Sequence, residues 1–173
     1  MKKKLYVVGL AVALACCAFG CGKKAEDNQE AAVVDVKADV VTFVNEKLSA
    51  AKAYQDSAIM IYNSYFSEDN TQDLAAFRES LESTAIPAME NCVNTINGIE
   101  VATEEVSAMK AIYLQSVQKE QAALKMVVSA IDGENPEYLT QADSLITESA
   151  NLMKEYQSQL DKIAAEQGII VNK

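Results

Sequence analysis

The hydrophobic and polar positions of the chain follow a helical period from about residue 31 to residue 168. Apolar residues recur there every three or four positions, which places them on one face of a helix. Turn and capping residues interrupt the pattern at residues 67–73, 97–103 and 132–136. No segment shows the sustained alternation of a strand. The pattern therefore predicts an all-α fold, an up-down-up-down four-helix bundle over residues 31–168.

The four apolar stripes define the predicted core of this bundle. The first helix is expected to end near Phe66, and the fourth before Gly168. The stripes comprise Val33, Val36, Val40, Val44, Leu48, Ala51, Ala58, Ile61 and Tyr65; Leu74, Phe77, Leu81, Ala85, Ala88, Cys92 and Ile96; Val106, Met109, Tyr113, Val117, Leu124, Val127 and Ile131; and Leu139, Ala142, Leu145, Ser149, Leu152, Tyr156, Leu160 and Ile163.

Local signals predict where the helices begin, bend and end. N-cap signals are Asn70 or Thr71 for the second helix, Thr103 for the third and Asn135-Pro136-Glu137 for the fourth. Gly98 suits the C′ position of the second helix. Pro87 removes a backbone donor inside that helix, so we expect a kink between residues 83 and 87.

A different pattern occupies the first 20 residues. Lys2, Lys3 and Lys4 precede an apolar run from Leu5 to Phe19. That run of about 15 residues is shorter than the roughly 20 that a membrane-spanning helix needs. We therefore interpret residues 1–20 as a signal peptide that is removed.

The junction that follows, Ala18-Phe19-Gly20-Cys21, resembles the lipobox of bacterial lipoproteins. In that family a signal peptidase cuts before a cysteine whose thiol has been lipidated. The resemblance implies lipidation of Cys21, with acyl chains such as palmitate holding the protein on a membrane; Cys17 and Cys16 are the alternatives. Residues 21–30 would then be the lipidated cysteine and a polar tether, and residues 169–173 a C-terminal tail.

The resemblance also implies an extracytoplasmic place in the cell envelope. Because Gly22 and not aspartate follows Cys21, the outer membrane is expected in a Gram-negative cell. In a Gram-positive cell, the expected place is the outer face of the plasma membrane.

The charge of the chain narrows the possible partners. From Cys21 onward the chain has 12 basic and 25 acidic residues, a formal charge of −13. Phosphate contacts need a basic face, so the charge argues against a nucleic-acid partner. Anionic headgroups would also repel the body, which should therefore stand off the membrane surface.

Candidate chemistry is sparse. The chain has no histidine, which excludes Ser-His and Cys-His catalysis and the Glu-x-x-His sites of di-metal bundles. Carboxylate pairs such as Glu104-Glu105 lie where helices begin and compensate the helix dipole. We expect no enzyme, no metal site and no cofactor. Cys92 is interpreted as a buried thiol, with a reactive or intermolecular thiol as the alternative.

Two groups of residues are candidates for binding. The first maps to the end of the bundle opposite the lipid and is a candidate surface for another envelope protein, although these rings would also serve simply to close the core. The second is a candidate ligand cavity in the lower core, where gap-filling is the alternative. The surface comprises Tyr62, Tyr65, Phe66, Phe77 and Tyr138, and the cavity comprises Met109, Tyr113, Glu120, Met153 and Tyr156.

Glu120 is a carboxylate on the core stripe of the third helix. It falls near the level of Ser49, Thr84 and Ser149, which together would make a polar layer. The alternative, which we favour from the sequence, is that Glu120 lies at the edge of the stripe with its head in water.

These observations favour a membrane-anchored envelope lipoprotein whose helical body is a protein-interaction module. The alternative is an extracytoplasmic binding protein that holds a small or apolar ligand between its helices.

Overall fold

The computed structural model describes residues 35–65, 73–133 and 135–170, and all regular secondary structure in these ranges is helical. The predicted signal peptide, Cys21 and the tether lie outside the described residues, as do Phe66 and the proposed caps Asn70 and Thr71. In the described ranges no helix is both long enough and apolar enough to cross a bilayer.

Six α-helical segments and two π-helical turns make four continuous helical runs in these ranges. They are α1 (Val36–Thr42), a π-helical turn (Phe43–Lys47), α2 (Ser49–Ser64), α3 (Leu74–Ser80), a second π-helical turn (Leu81–Ala85), α4 (Ile86–Gly98), α5 (Glu104–Gly133) and α6 (Glu137–Glu166). Helical dihedrals at Leu48, Ser80 and Ile86 keep the backbone continuous through both π-helical turns.

The first π-helical turn changes which residues of the first run face the core. The Leu48 amide donates to the Phe43 carbonyl, five residues back, at 3.0 Å. Phe43 and Leu48 are both buried, whereas Val44 is only half-buried. Val44 therefore packs only at the edge of the core, and Phe43, which the predicted stripe leaves out, takes the buried position, because the turn accommodates one extra residue. Beyond the turn, the buried positions are Ala51, Gln55, Ala58 and Tyr62.

The second π-helical turn lies close to the kink that is expected near Pro87. The Ile86 amide donates to the Leu81 carbonyl, again five residues back, and Pro87 occupies the first turn of α4. A proline lacks the N–H and crowds the carbonyl four residues back in a regular helix, so the wider π-helical turn before Pro87 is where the run accommodates it. The second run therefore stays continuous from α3 to α4.

The helix starts match the sequence signals only in part. Asp73 caps α3: its side chain accepts from the Ala76 amide at 2.8 Å. Asp73 is one of several polar residues in the connection before α3. Thr103 Oγ1 accepts from the Val106 amide at a long 3.4 Å. Asn135 Oδ1 accepts from the Glu137 amide at 3.0 Å, as expected for a capping side chain.

The C-terminus of α4 differs from the prediction. Gly98 is the last helical residue, and the chain becomes extended at Ile99, so the expected C′ glycine is wrong. Lysines satisfy the free carbonyls instead. Lys110 Nζ donates to the Asn97 and Ile99 carbonyls at 3.1 and 2.5 Å, and Lys47 Nζ donates to the Glu100 carbonyl at 2.5 Å. After α6, glycine does take the left-handed position, with φ +60° at Gly168.

Side-chain contacts give the directions of the last three runs. Ser116 of α5 lies opposite Ser149 of α6, and Tyr113 lies against Tyr156, so α5 and α6 are antiparallel. The α3–α4 run is antiparallel to α5 as well. Arg78 at its start pairs with Asp132 at the end of α5, and Glu90 further along pairs with Lys125.

The first run is parallel to α5. Asp39 of α1 contacts Thr103 before the start of α5, and Gln55 of α2 contacts Tyr113 further along. α2 also packs against α4, and α4 against α5. The largest fully buried side chains line the space between the runs: Phe43, Phe77, Leu81, Met89, Ile96, Met109, Tyr113 and Leu160.

Candidate functional site

A carboxylate lies inside the helical core. Glu120 of α5 is only 1% exposed, so the interpretation that its head reaches water is wrong. Gln55 Nε2, from α2, donates to Glu120 Oε2 at 2.7 Å. Ser149 Oγ, from α6, donates to Glu120 Oε1 at 2.9 Å. The carboxylate therefore joins three of the four helical runs.

Further polar side chains extend this network. The Tyr113 hydroxyl donates to Gln55 Oε1 at 2.6 Å. Ser116 Oγ lies 2.8 Å from Ser149 Oγ and 3.3 Å from the Ser149 carbonyl oxygen. In the described part of the chain, every buried side-chain nitrogen and oxygen atom has a hydrogen-bond partner. We call Gln55, Tyr113, Ser116, Glu120 and Ser149 the core network.

Burial dominates the electrostatics of the core network. It raises the pKa of Glu120, and the hydrogen bonds from Gln55 and Ser149 oppose that rise only partly. Burial also raises the pKa of Tyr113. Cys92 of α4 is fully buried nearby, and burial followed by the neighbouring Glu120 carboxylate raises the pKa of its thiol to about 12. A thiol with so high a pKa is protonated and unreactive near neutral pH.

The residues of the predicted cavity lie along the core and not around one shared space, since Met109 and Glu120 are separated by about 16 Å along α5. Met109, Tyr113, Glu120 and Tyr156 are buried, and Met153 is half-buried. The rings of Tyr113 and Tyr156 have centroids 5.4 Å apart, in a tilted arrangement. The polar atoms of Tyr113 and Glu120 bond to other members of the core network. The role of this group in ligand binding stays a prediction.

The predicted polar layer forms with different members. Ser149 contacts Glu120 as expected, but Ser49 and Thr84 are exposed and take no part. Gln55 and Ser116 replace them. Gln55 had a usable signal, since it lies four residues after Ala51 and three before Ala58, on the same face of the helix.

Aromatic rings cluster at the end of the described body away from residue 35. We call this the distal end: residues 60–65, 73–82, 132–133 and 135–138. The rings of Tyr65 and Phe77 stack with centroids 4.0 Å apart, and those of Tyr62 and Phe77 tilt at 6.0 Å. Phe77 is fully buried and Tyr62 nearly so, while Tyr65 and Tyr138 are half-buried. Phe77 and Tyr62 therefore close the core at this end, and the role of the group as a binding surface stays a prediction.

The exposed apolar groups of the distal end are different residues. Met60 is 67% exposed and Leu74 is 41% exposed. Neither was a candidate in the sequence, because Met60 lies off the apolar stripe and Leu74 was assigned to the core.

Charge at the distal end is mainly acidic. Arg78 donates to Glu82 at 2.7 and 3.0 Å and also to Asp132. The hydrogen bond from Arg78 lowers the pKa of Asp132. The guanidinium is thus already paired with two carboxylates, and Glu79 and Glu137 add exposed negative charge at this end.

The opposite, proximal end comprises residues 35–39, 97–103 and 163–170, and polar contacts fix it. Asp39 is buried, and its Oδ2 accepts from the Ala102 and Thr103 amides at 2.9 Å each and from Thr103 Oγ1 at 2.8 Å. Lys37 Nζ donates to the Gly168 carbonyl at 3.5 Å. These contacts hold the ends of three runs beside the point where the described chain begins.

Within the described ranges, no group of three or more histidine, cysteine, aspartate or glutamate residues is placed to hold a metal ion.

Comparison with known families assigns the chain to a lipoprotein family. The family model described as "EMYY-motif containing lipoprotein" matches residues 1–168. The chain belongs to this lipoprotein family. Membership confirms the resemblance of the leader to bacterial lipoproteins, and it makes the protein a membrane-anchored lipoprotein of the cell envelope. The four residues Glu-Met-Tyr-Tyr do not occur consecutively in this chain. No curated protein and no solved structure matches it.

Proposed function

We propose that this lipoprotein is a non-enzymatic interaction module, whose helical body binds another envelope protein through its distal end. Cys21 would carry the lipid, and residues 22–30 would serve as the tether. Because Gly22 follows Cys21, the outer membrane is the expected location in a Gram-negative cell.

The proposal includes an up-down-up-down four-helix bundle as the form of the body. Its support is the antiparallel pairing of α5 with α6 and of the α3–α4 run with α5, together with the parallel first run. In such a bundle the proximal and distal ends lie at opposite poles. From Asp39 to Tyr62 the first run spans about 35 Å, at 1.5 Å per helical residue.

The observation that carries the proposal is the exposure of Met60 and Leu74 beside a packed aromatic cluster. Tyr62, Tyr65 and Phe77 join the end of α2 to the start of α3, which fixes the backbone beneath these exposed side chains. Apolar side chains on a preorganised backbone bind a partner at a lower entropic cost than side chains on a flexible one. Met60 and Leu74 also lie at the end of the described body away from residue 35.

The chemistry of the surroundings indicates the kind of partner. Glu79, Glu82, Asp132 and Glu137 are exposed carboxylates at the same end, and Arg78 is already paired with two of them. A partner that offers an apolar side chain framed by lysine or arginine would match both features.

The second candidate function is binding of a small ligand between the helices. The burial of Met109, Tyr113, Glu120 and Tyr156, with the rings of Tyr113 and Tyr156 in contact, favours it. We rank it second because the polar groups that would recognise a ligand are bonded to one another. A ligand would have to replace those bonds.

Replacement of Met60 by glutamate tests the interaction proposal. Met60 is mostly exposed, so the change should leave the free energy of unfolding nearly unaltered. It places a negative charge at the distal end. We expect chemical cross-linking in intact cells to capture a partner with the wild type, and at least tenfold less of it with Met60→Glu.

The matched control is Ile170→Glu, which puts the same charge on a 79% exposed apolar residue at the proximal end. It should capture the partner as the wild type does. Equal capture by all three proteins, or equal loss in both variants, would reject the distal end as the binding surface.

A further inference from the structure

The charge of Glu120 has no compensating cation in the described part of the chain, where no lysine or arginine forms an ion pair with it. The titratable and polar groups around it are neutral or acidic. α2 contributes Gln55 and, nearby, the acidic Asp56; α4 contributes Cys92; α5 contributes Tyr113 and Ser116; and α6 contributes Ser149 and Tyr156. An isolated carboxylate is costly to bury in such surroundings.

The hydroxyl pair beside Glu120 accommodates either protonation state without movement of heavy atoms. When Glu120 is ionised, Ser116 donates to Ser149, and Ser149 donates to Glu120 Oε1. When Glu120 carries a proton on Oε1, both hydroxyls rotate: Glu120 donates to Ser149, Ser149 donates to Ser116, and Ser116 donates to the Ser149 carbonyl oxygen. Gln55 donates to Oε2 in both states.

We propose that Glu120, Ser149 and Ser116 form a buried proton-binding site that couples the stability of the helical body to the pH outside the cytoplasm. With the proton bound, the core network contains no net charge, and α6 is tied to α5 and α2 through neutral hydrogen bonds. Without it, an uncompensated charge remains in the core, and this weakens the packing of all three helices. The inference rests on the core network and is independent of the proposed interaction surface.

The direction of the pH effect follows from linkage. In the unfolded chain Glu120 would ionise near the usual glutamate pKa of about 4.3. Burial raises the pKa in the folded chain. Between those two values only the folded state holds the proton, so folded stability is highest below the lower value and falls as the pH rises towards the higher one. One bound proton changes the unfolding equilibrium constant by about tenfold per pH unit in this window.

Urea unfolding of the full lipidated chain in mild detergent tests the proposal. Tyrosine circular dichroism would be followed from pH 4.5 to pH 9 for the wild type, for Glu120→Gln and for the exposed control Glu155→Gln. We expect the wild type and the control to lose stability as the pH rises. Glu120→Gln should lack that component, because its amide cannot ionise. The same loss in Glu120→Gln as in the wild type would overturn the proposal.

A direct measurement covers the case in which Glu120→Gln does not fold. The side-chain carboxyl carbons of the wild-type chain, labelled with ¹³C-glutamate, would be titrated by NMR. We expect one carboxyl to titrate well above the others, and to shift further upward in Ser149→Ala, which lacks the donor to the ionised form. If every glutamate titrates near its ordinary pKa, the core holds no such site.

Discussion

At the scale of single residues, Asp39 and Gln55 show that apolar positions in the sequence do not identify every buried residue. Both are polar, and both are buried because a distant part of the chain supplies their hydrogen-bond partners: the connection before α5 for Asp39, and α5 itself for Gln55. Asp39 accepts a hydrogen bond from the Ala102 amide, 63 residues further along the chain. A sequence gives the spacing of such residues along their own helix but not the identity of the partner across the core.

Replacement of Asp39 by alanine is predicted to destabilise the protein by about 3 kcal/mol. The change leaves the Ala102 and Thr103 amides without their shared acceptor in a partly buried connection. Urea unfolding would measure the loss. The matched control is Asp35→Ala, which removes only a bond to the Lys37 amide at an exposed helix start and should cost about 1 kcal/mol. Equal losses in the two variants would contradict a special role for Asp39.

Glu120 marks the limit of residue-level reasoning. Its place on the core stripe is visible in the sequence, as is Ser149 on the facing helix. Whether a carboxylate on a stripe reaches water depends on a small rotation of its helix, and the sequence does not determine that rotation. Gln55 and Ser149 provide the donors that make the buried position tolerable.

At the scale of elements, the π-helical turns decide which residues face inward. In the second run Phe77, Leu81, Ala85 and Met89 are buried at four-residue steps. In a regular α-helix, each such step turns the buried face by about 40°, since 3.6 residues complete a turn. The extra residue of the π-helical turn absorbs most of that drift.

Deletion of Ser83 tests this account and the part that Pro87 plays. The deletion would restore a regular helix and keep the buried face in line, but it would place Pro87 inside that helix, where its ring meets a carbonyl. We therefore predict a loss of about 3 kcal/mol for the deletion alone. Most of it should return when Pro87→Ala is added. Urea unfolding of both variants would measure this.

A deletion in a regular helix is the control for that experiment. Removing exposed Glu155 from α6 would turn the segments on either side by about 100° relative to each other and should be far more harmful. If deletion of Ser83 alone cost nothing, Pro87 would not be the reason for the turn. If the added Pro87→Ala restored nothing, the drift argument itself would be wrong.

At the scale of the whole molecule, the 25 acidic against 12 basic residues after Gly20 dominate long-range electrostatics. Net repulsion opposes a compact body, and salt screens it. Between 10 mM and 100 mM salt, the screening length falls from about 30 to about 10 Å. We predict that the Tm rises over this range by about 2 to 4 °C, the shift that roughly 1 kcal/mol gives a chain of this size.

Scanning calorimetry would measure this shift, and a charge-reduced variant is the control. Glu79→Lys combined with Glu155→Lys changes two exposed carboxylates and should lessen the salt dependence. A Tm that falls with added salt would show that surface ion pairs, such as Lys119 with Glu148, outweigh the net repulsion.

The sequence by itself determined the lipoprotein leader, the helical class and the approximate extent of the four helical runs. These features depend on neighbouring residues: a charged-apolar-cysteine order, a period of 3.6 and capping side chains. Only the tertiary structure decided the two π-helical turns, the burial of Glu120 and Gln55, and the inward packing of Tyr62. Each depends on how a helix is rotated about its own axis, and that rotation is set by the helices packed against it.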